Sequence, residues 1–211
     1  MKRIVPIILA LVLIQCANMP LLAGNPAGNG GSTRIVFSLN WGYDATILDI
    51  YHFNYIHPND GYRVDEQKVK PMLYSNGNAA AGISVEFARH FSLGIYGGYA
   101  GVQQRTRLFP LSLKAAYYFN SYAVDGTFIT LEGGAGFHEK RDDISPFSKV
   151  GYGWRMKLGK KSSMDLGLNL RITADHPPVY DASIYGYVPE ENMRRSDAVY
   201  SSVGIGIGLN F

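Results

Sequence analysis

The chain has 211 residues, a formal net charge of +3, 18% charged residues and 13% aromatics. Its charges are scattered and nearly balanced, which argues against nucleic acid as a partner. One cysteine cannot staple a fold by itself, and 24 glycines with 15 tyrosines point away from a helical core.

Met1 to Ala23 reads as a secretory signal. Lys2 and Arg3 form the positive region, Ile4 to Ile14 the apolar one, and Leu21-Leu22-Ala23 ends on a small residue. The apolar run is shorter than the roughly 20 residues a transmembrane helix needs. Cys16 either leaves with the signal or, on the rival reading, is lipidated; Gln15 before it fits a lipoprotein signal poorly. Cleavage removes Lys2 and Arg3 and so lowers the charge from +3 to +1. Residues 24–33 form a polar, Gly-rich leader with nothing to bury. Residues 34–211 are expected to form one domain.

From Arg34 onward the chain alternates with period two, the signature of strands that separate two environments. Ile35, Phe37, Leu39 and Trp41 share one face of 34–42. Segments 78–87 and 91–99 follow, joined by a tight Ala88–His90 turn. The next are 108–119, 128–138 and 147–159. In 164–173, Met164, Leu166, Leu168, Leu170 and Ile172 oppose Asp165, Gly167, Asn169, Arg171 and Thr173. Finally 198–211 sets Val199, Val203, Ile205, Ile207, Leu209 and Phe211 against Tyr200, Ser202, Gly204, Gly206, Gly208 and Asn210. That makes eight strands, each near the ~9–11 residues of a tilted membrane strand. An all-β, antiparallel, up-and-down transmembrane barrel is expected, with lipid outside and a polar lumen. Connectors 88–90, 120–127 and 160–163 are short; of 43–77, 102–107, 139–146 and 174–197, two are very long. Short periplasmic turns and long external loops are the asymmetry of this architecture.

Charged residues within the strands fall almost entirely on the lumen face. Glu86 and Glu132 are expected to pair with Lys114, Arg155 and Arg171, plugging a lumen just wide enough for side chains. The glycine runs at 204–208 and 133–136 precede no helix, so they read as positions crowded by curvature or a bulky neighbour. Aromatics gather near strand ends, as interfacial belts do; Trp154, placed nearer a strand centre, does not fit.

With eight amphipathic strands, this loop asymmetry and the Leu209–Phe211 ending, residues 34–211 resemble the small outer-membrane β-barrel proteins, the OmpX-like family that shares its plan with the OmpA membrane domain. The resemblance implies a bacterial outer-membrane location, contact with lipid and lipopolysaccharide, and insertion by the barrel-assembly machinery, for which Leu209 and Phe211 would be the signal. It implies little about activity, because fold alone does not decide function.

The leading functional expectation is a non-enzymatic surface protein acting through external loops 43–77 and 174–197 on an extracellular or outer-membrane protein partner. Tyr51, Phe53, Tyr55, Tyr185 and Tyr187 are the expected contact residues. For the first loop the alternative is that the flanking strands simply run on beyond the membrane. A lipid-modifying enzyme is the competing function. It would draw on His138, Ser148 and His176, with Asp142, Asp143 and Asp175 nearby. The first-loop acids and histidines (Asp44, Asp49, His52, His57, Asp60, Asp65 and Glu66) lack a compact metal spacing, and no motif calls for a cofactor.

Overall fold

The computed structural model describes residues 33–103, 106–139, 141–159 and 161–211. The expected signal and nearly all of the leader lie outside them. Ten strands form: β1 (Arg34–Ile56), β2 (Arg63–Phe87), β3 (Phe91–Gln103), β4 (Thr106–Tyr118), β5 (Gly126–His138), β6 (Ile144–Lys157), β7 (Ser163–Asp175), β8 (Tyr180–Asp181), β9 (Gly186–Tyr187) and β10 (Met193–Asn210). Eight of them close an antiparallel up-and-down barrel in the order β1-β10-β7-β6-β5-β4-β3-β2; β8 and β9 form a separate small hairpin.

The register fixes the shape of the barrel. From His138, the pairings run round the ring through Leu108, Ala100, Asn78, Gly42, Gly206, Gly167 and Gly153. They return to β5 at Phe128, ten residues along. A shear of ten over eight strands tilts the strands about 40° and sets a backbone radius of about 8 Å. In so narrow a tube inward side chains from facing strands come within reach of one another.

Alternation decides which residues point inward. Ile35, Phe37, Leu39 and Trp41 face out, whereas Val36 and Ser38 are buried in the lumen. Leu166, Leu168, Leu170 and Ile172 likewise face out, with Arg171 and Thr173 inside. Glycine marks the tightest approaches. A Cβ on Gly204 would collide with Asp44 Oδ1, and one on Gly82 with the Tyr96 ring.

Two boundaries differ from the sequence expectation. Segment 43–77 is strand except for a short link, His57–Tyr62, because β1 and β2 run on past the membrane. A β-bulge between Thr46 and Leu48 hides this continuity. It inserts one residue, so the inward positions change from even numbers (Asp44, Thr46) to odd ones (Asp49, Tyr51). A single alternating template loses the strand there. At the other end, β10 starts at Met193, five residues before the expected Ala198.

Beyond the barrel, β2 from Arg63 to Gly77 pairs only with β1, and β10 from Met193 to Asp197 does the same. The result is a three-stranded external platform, β2-β1-β10. Trp154 lies three residues from the periplasmic end of β6 at Lys157, close to where an interfacial belt belongs. Trp41 instead sits well inside the membrane stretch of β1.

Candidate functional site: lumen and external platform

The inward charges separate into three groups instead of one network. Near the periplasmic end, Arg155 Nη1 donates to Glu86 Oε1 at 2.6 Å, and its Nε and Nη2 grip both oxygens of Asp165 at 2.6 and 2.8 Å. The guanidinium also lies 4.3 Å from the centre of the Tyr118 ring. Tyr118, Tyr122, Phe128 and Ala116 pack around it. Higher up, Glu132 accepts from Ser112 Oγ at 2.8 Å and faces Lys149 at 3.8 Å, while Lys114 sits over the Tyr96 ring. Arg171 faces Asp44 at 3.9 Å. Of the expected pairings, therefore, Glu86 and Arg155 come together; Glu132 meets Lys149, and Arg171 meets Asp44. The height of each group depends on shear, which alternation does not encode.

Between these groups lies a polar cavity of about 100 Å³ lined by Asn40, Asn78, Lys114, Glu132, Lys149 and Asn169. Buried polar atoms of Asp44, Asp49, Asn169, Arg171 and Thr173 have no hydrogen-bond partner among the described residues. Above them, Tyr51, Val102, Leu108, Ala198 and Tyr200 form an apolar layer across the external mouth.

At the external rim a serine, a histidine and an aspartate do meet, but they are Ser145, His138 and Asp175. His138 Nε2 lies 2.7 Å from Ser145 Oγ and 3.0 Å from Asp175 Oδ1, and Ser145 donates to that same oxygen at 2.9 Å. This is a triangle on one ring nitrogen. A relay needs serine and carboxylate on opposite nitrogens. Arg141 Nη2 lies against the same ring, 2.9 Å from Nδ1 and 3.1 Å from Nε2, and Ser145 is fully buried. The expected Ser148 faces outward, on the other side of the wall from His138. His176 is engaged by the Ser196 carbonyl and Asp197. Neither Asp142 nor Asp143 joins the triangle; Asp143 faces Arg141 at 3.8 Å.

On the platform, Tyr51 and Tyr55 are buried and Phe53 is half-buried. This corrects their expected place on an exposed surface: beyond the bulge they point inward, Tyr51 into the apolar layer with Val102 and Leu108, and Tyr55 and Phe53 under the β8–β9 hairpin. Val179, Ile184 and Val188 of that segment pack on Tyr55, Phe53, Val64 and Met193. Polar ties reinforce the contact. Tyr55 Oη donates to Asp181 Oδ2 at 2.7 Å, and His57 Nε2 meets Ser183 Oγ at 2.8 Å. Asp60 offers His57 Nδ1 both its amide at 3.2 Å and a carboxylate oxygen at 3.1 Å. His57 thus ties the link between β1 and β2 to the hairpin, with Asp60 on one ring nitrogen and Ser183 on the other. The tyrosines of the hairpin face away: Tyr185 is 88% exposed, Tyr187 60% and Tyr180 59%. Tyr185 holds φ at 50°, a conformation that costs a non-glycine residue about 1–2 kcal/mol.

Titration of these ties has a definite sign. Hydrogen bonds from Ser183 and then Tyr55 hold the Asp181 carboxyl below its usual range. Burial, then the Asp181 contact, pushes the Tyr55 phenol up to about 12. A depressed acid stabilises docking above its usual value of about 4 and loses that contribution as pH falls further. A raised phenol contributes below about 10 and is lost as pH rises toward its shifted value. Proteolysis of the hairpin in the detergent-solubilised protein should therefore be flat from about pH 5 to 9 and accelerate below about pH 4. Release near neutrality would overturn the assignment of docking to the Tyr55–Asp181 tie.

No family model and no curated protein matches this sequence. Solved structures do match it. The outer membrane protein OprG from Pseudomonas aeruginosa superposes with a TM-score of 0.53 at 12% identity, covering 86% of this chain and 98% of OprG. The fold is that of the bacterial outer-membrane β-barrels. Neisserial surface protein A aligns at a TM-score of 0.36 and 12% identity over 83% of this chain and 98% of its own. The outer membrane protease OmpT from Escherichia coli aligns at 0.39 and 8% over 87% and 99%. With this outer-membrane fold goes a surface to match: Ile35, Leu168, Leu170 and Ile205 each expose more than half their area, as a lipid-facing wall requires.

Proposed function

We propose that this outer-membrane barrel is a non-catalytic surface protein whose lumen is sealed and whose external platform engages a protein partner. The amphipathic β8–β9 hairpin carries the reading. Its aliphatic side chains are spent on docking, while Tyr180, Tyr185 and Tyr187 face solvent and contribute little to packing. Exposed tyrosines on a rigid support give large contact area at low entropic cost, the property of binding surfaces. The seal rests on two barriers, the Glu86–Arg155–Asp165 cluster at one end and the apolar layer under Tyr51 at the other. In the membrane, the apolar exterior would meet lipid and lipopolysaccharide. Phe211, whose amide and carbonyl pair with Phe37, would complete the last strand for the assembly machinery.

The test replaces residues 179–189 with a short turn in cells displaying the full chain. Binding of those cells to a host-cell or matrix-protein surface should fall to background while the barrel still shows its gel-mobility shift on boiling. Unchanged binding would sink the interaction role. In planar bilayers the purified protein should give no stable open conductance; a steady current would overturn the seal.

A further inference from the structure

The charge around the exposed tyrosines narrows the chemistry of the partner, and this step rests on the interaction reading above. Immediately after Tyr187 and Val188, a short 3-10 turn at Glu190–Asn192 places two carboxylates at the surface. Neither Glu190 nor Glu191 has an ion-pair partner among the described residues. The nearby cations are mostly committed: Arg63 pairs with Asp65 at 3.3 Å and Arg195 with Asp197 at 2.5 Å, which leaves Arg194 as the unmatched base. The segment therefore presents exposed tyrosines and, just after the hairpin, two carboxylates against a single unmatched base among the described residues. Both features select the same ligand group. A lysine ammonium or arginine guanidinium is attracted to the face of a tyrosine ring and to a free carboxylate. An anionic or purely apolar ligand would gain from only one of the two, or from neither.

We infer that the external tip is a docking site for a cationic peptide segment, with basic side chains laid on Tyr185 and Tyr187 and against Glu190 and Glu191. The partner is thus a protein offering an exposed Lys/Arg-bearing stretch. Acidic peptides and anionic lipid headgroups do not fit this chemistry.

The experiment uses the full chain in nanodiscs of phosphatidylcholine, a zwitterionic lipid, with fluorescein-labelled lysine, arginine and glutamate decapeptides read by anisotropy. The lysine and arginine peptides should bind and the glutamate peptide should not. E190Q/E191Q should weaken binding about fivefold. Y185L/Y187L, which keeps apolar area but removes the ring face, should weaken it by roughly five- to tenfold. D142N/D143N, on a different external turn, should change nothing. Raising salt from about 50 to about 300 mM should weaken binding further. Equal binding of basic and acidic peptides, or indifference to E190Q/E191Q, overturns the inference. If basic peptides fail to bind while replacement of 179–189 still abolishes cell-surface binding, only the cationic character is wrong. If that replacement also has no effect, both readings fall.

Discussion

Replacing Arg155 with methionine is expected to cost the folded barrel about 3–5 kcal/mol. Arg155 holds Glu86 and Asp165 through short bonds, and the side chains of Arg155 and Glu86 are each only 3% exposed. Removing the cation strands two carboxylates in a low-dielectric space where, among the described residues, neither has a second ion-pair partner. The loss would appear as a lower urea midpoint for refolding in detergent micelles, followed by the boiled-versus-unboiled mobility shift. A compensated variant, R155M/E86Q/D165N, separates the pair from its parts. Neutralising all three groups removes the stranded charge, so most of the stability should return. If the single substitution costs under about 1 kcal/mol, the cluster is solvated and is no barrier at the periplasmic end.

The second large effect lies on the opposite face of the wall. Leu168 is 61% exposed at the middle of β7, and an arginine there would sit near the bilayer midplane. Leu168→Arg is expected to cost about 2–4 kcal/mol. Ile50→Arg, on the outward face of β1 just beyond the bulge, should cost a few tenths of a kcal/mol at most, because water reaches that height. The same refolding titration reads both variants. The contrast between them locates the membrane boundary on β1. Equal costs would mean that lipid extends over the platform.

Alternation carried the barrel. In β5, β6, β7 and β10 the apolar set changes face only where the strand ends, so lipid-facing and lumen-facing residues could be assigned directly. It failed at Thr46–Leu48, since one inserted residue changes the parity and makes a continuous strand look like an irregular loop. The rim chemistry was partly readable by the same rule. Parity alone puts His138 inside and Ser148 outside, so the two cannot share a site; Ser145, three residues earlier, has the parity to meet His138. Pairings in the lumen were not readable, because the partner of an inward charge depends on its height. Asp165 and Asp44 became the ligands of Arg155 and Arg171 through a shear of ten that only the closed ring defines. The β8–β9 hairpin lay below detection, as two-residue strands have no period to read. It is its docking on Tyr55 and Phe53 that sorts Val179, Ile184 and Val188 from the tyrosines beside them.

The margin of β2 from Arg63 to Gly77 has a consequence of its own. Barrel closure removes sheet edges within the ring, yet here, as on the shorter stretch of β10 from Met193 to Asp197, a row of amide and carbonyl groups has no strand beside it among the described residues. Such a row is a template for any passing strand. What keeps it single is its side chains: Asp65, Glu66, Lys68 and Lys70 put charge along it, and Pro71 withholds a donor. With valine in place of those lysines and acids, the barrel would still insert correctly. The protruding sheet, however, would be free to zip onto its counterpart on a neighbouring cell, and cells carrying it would clump.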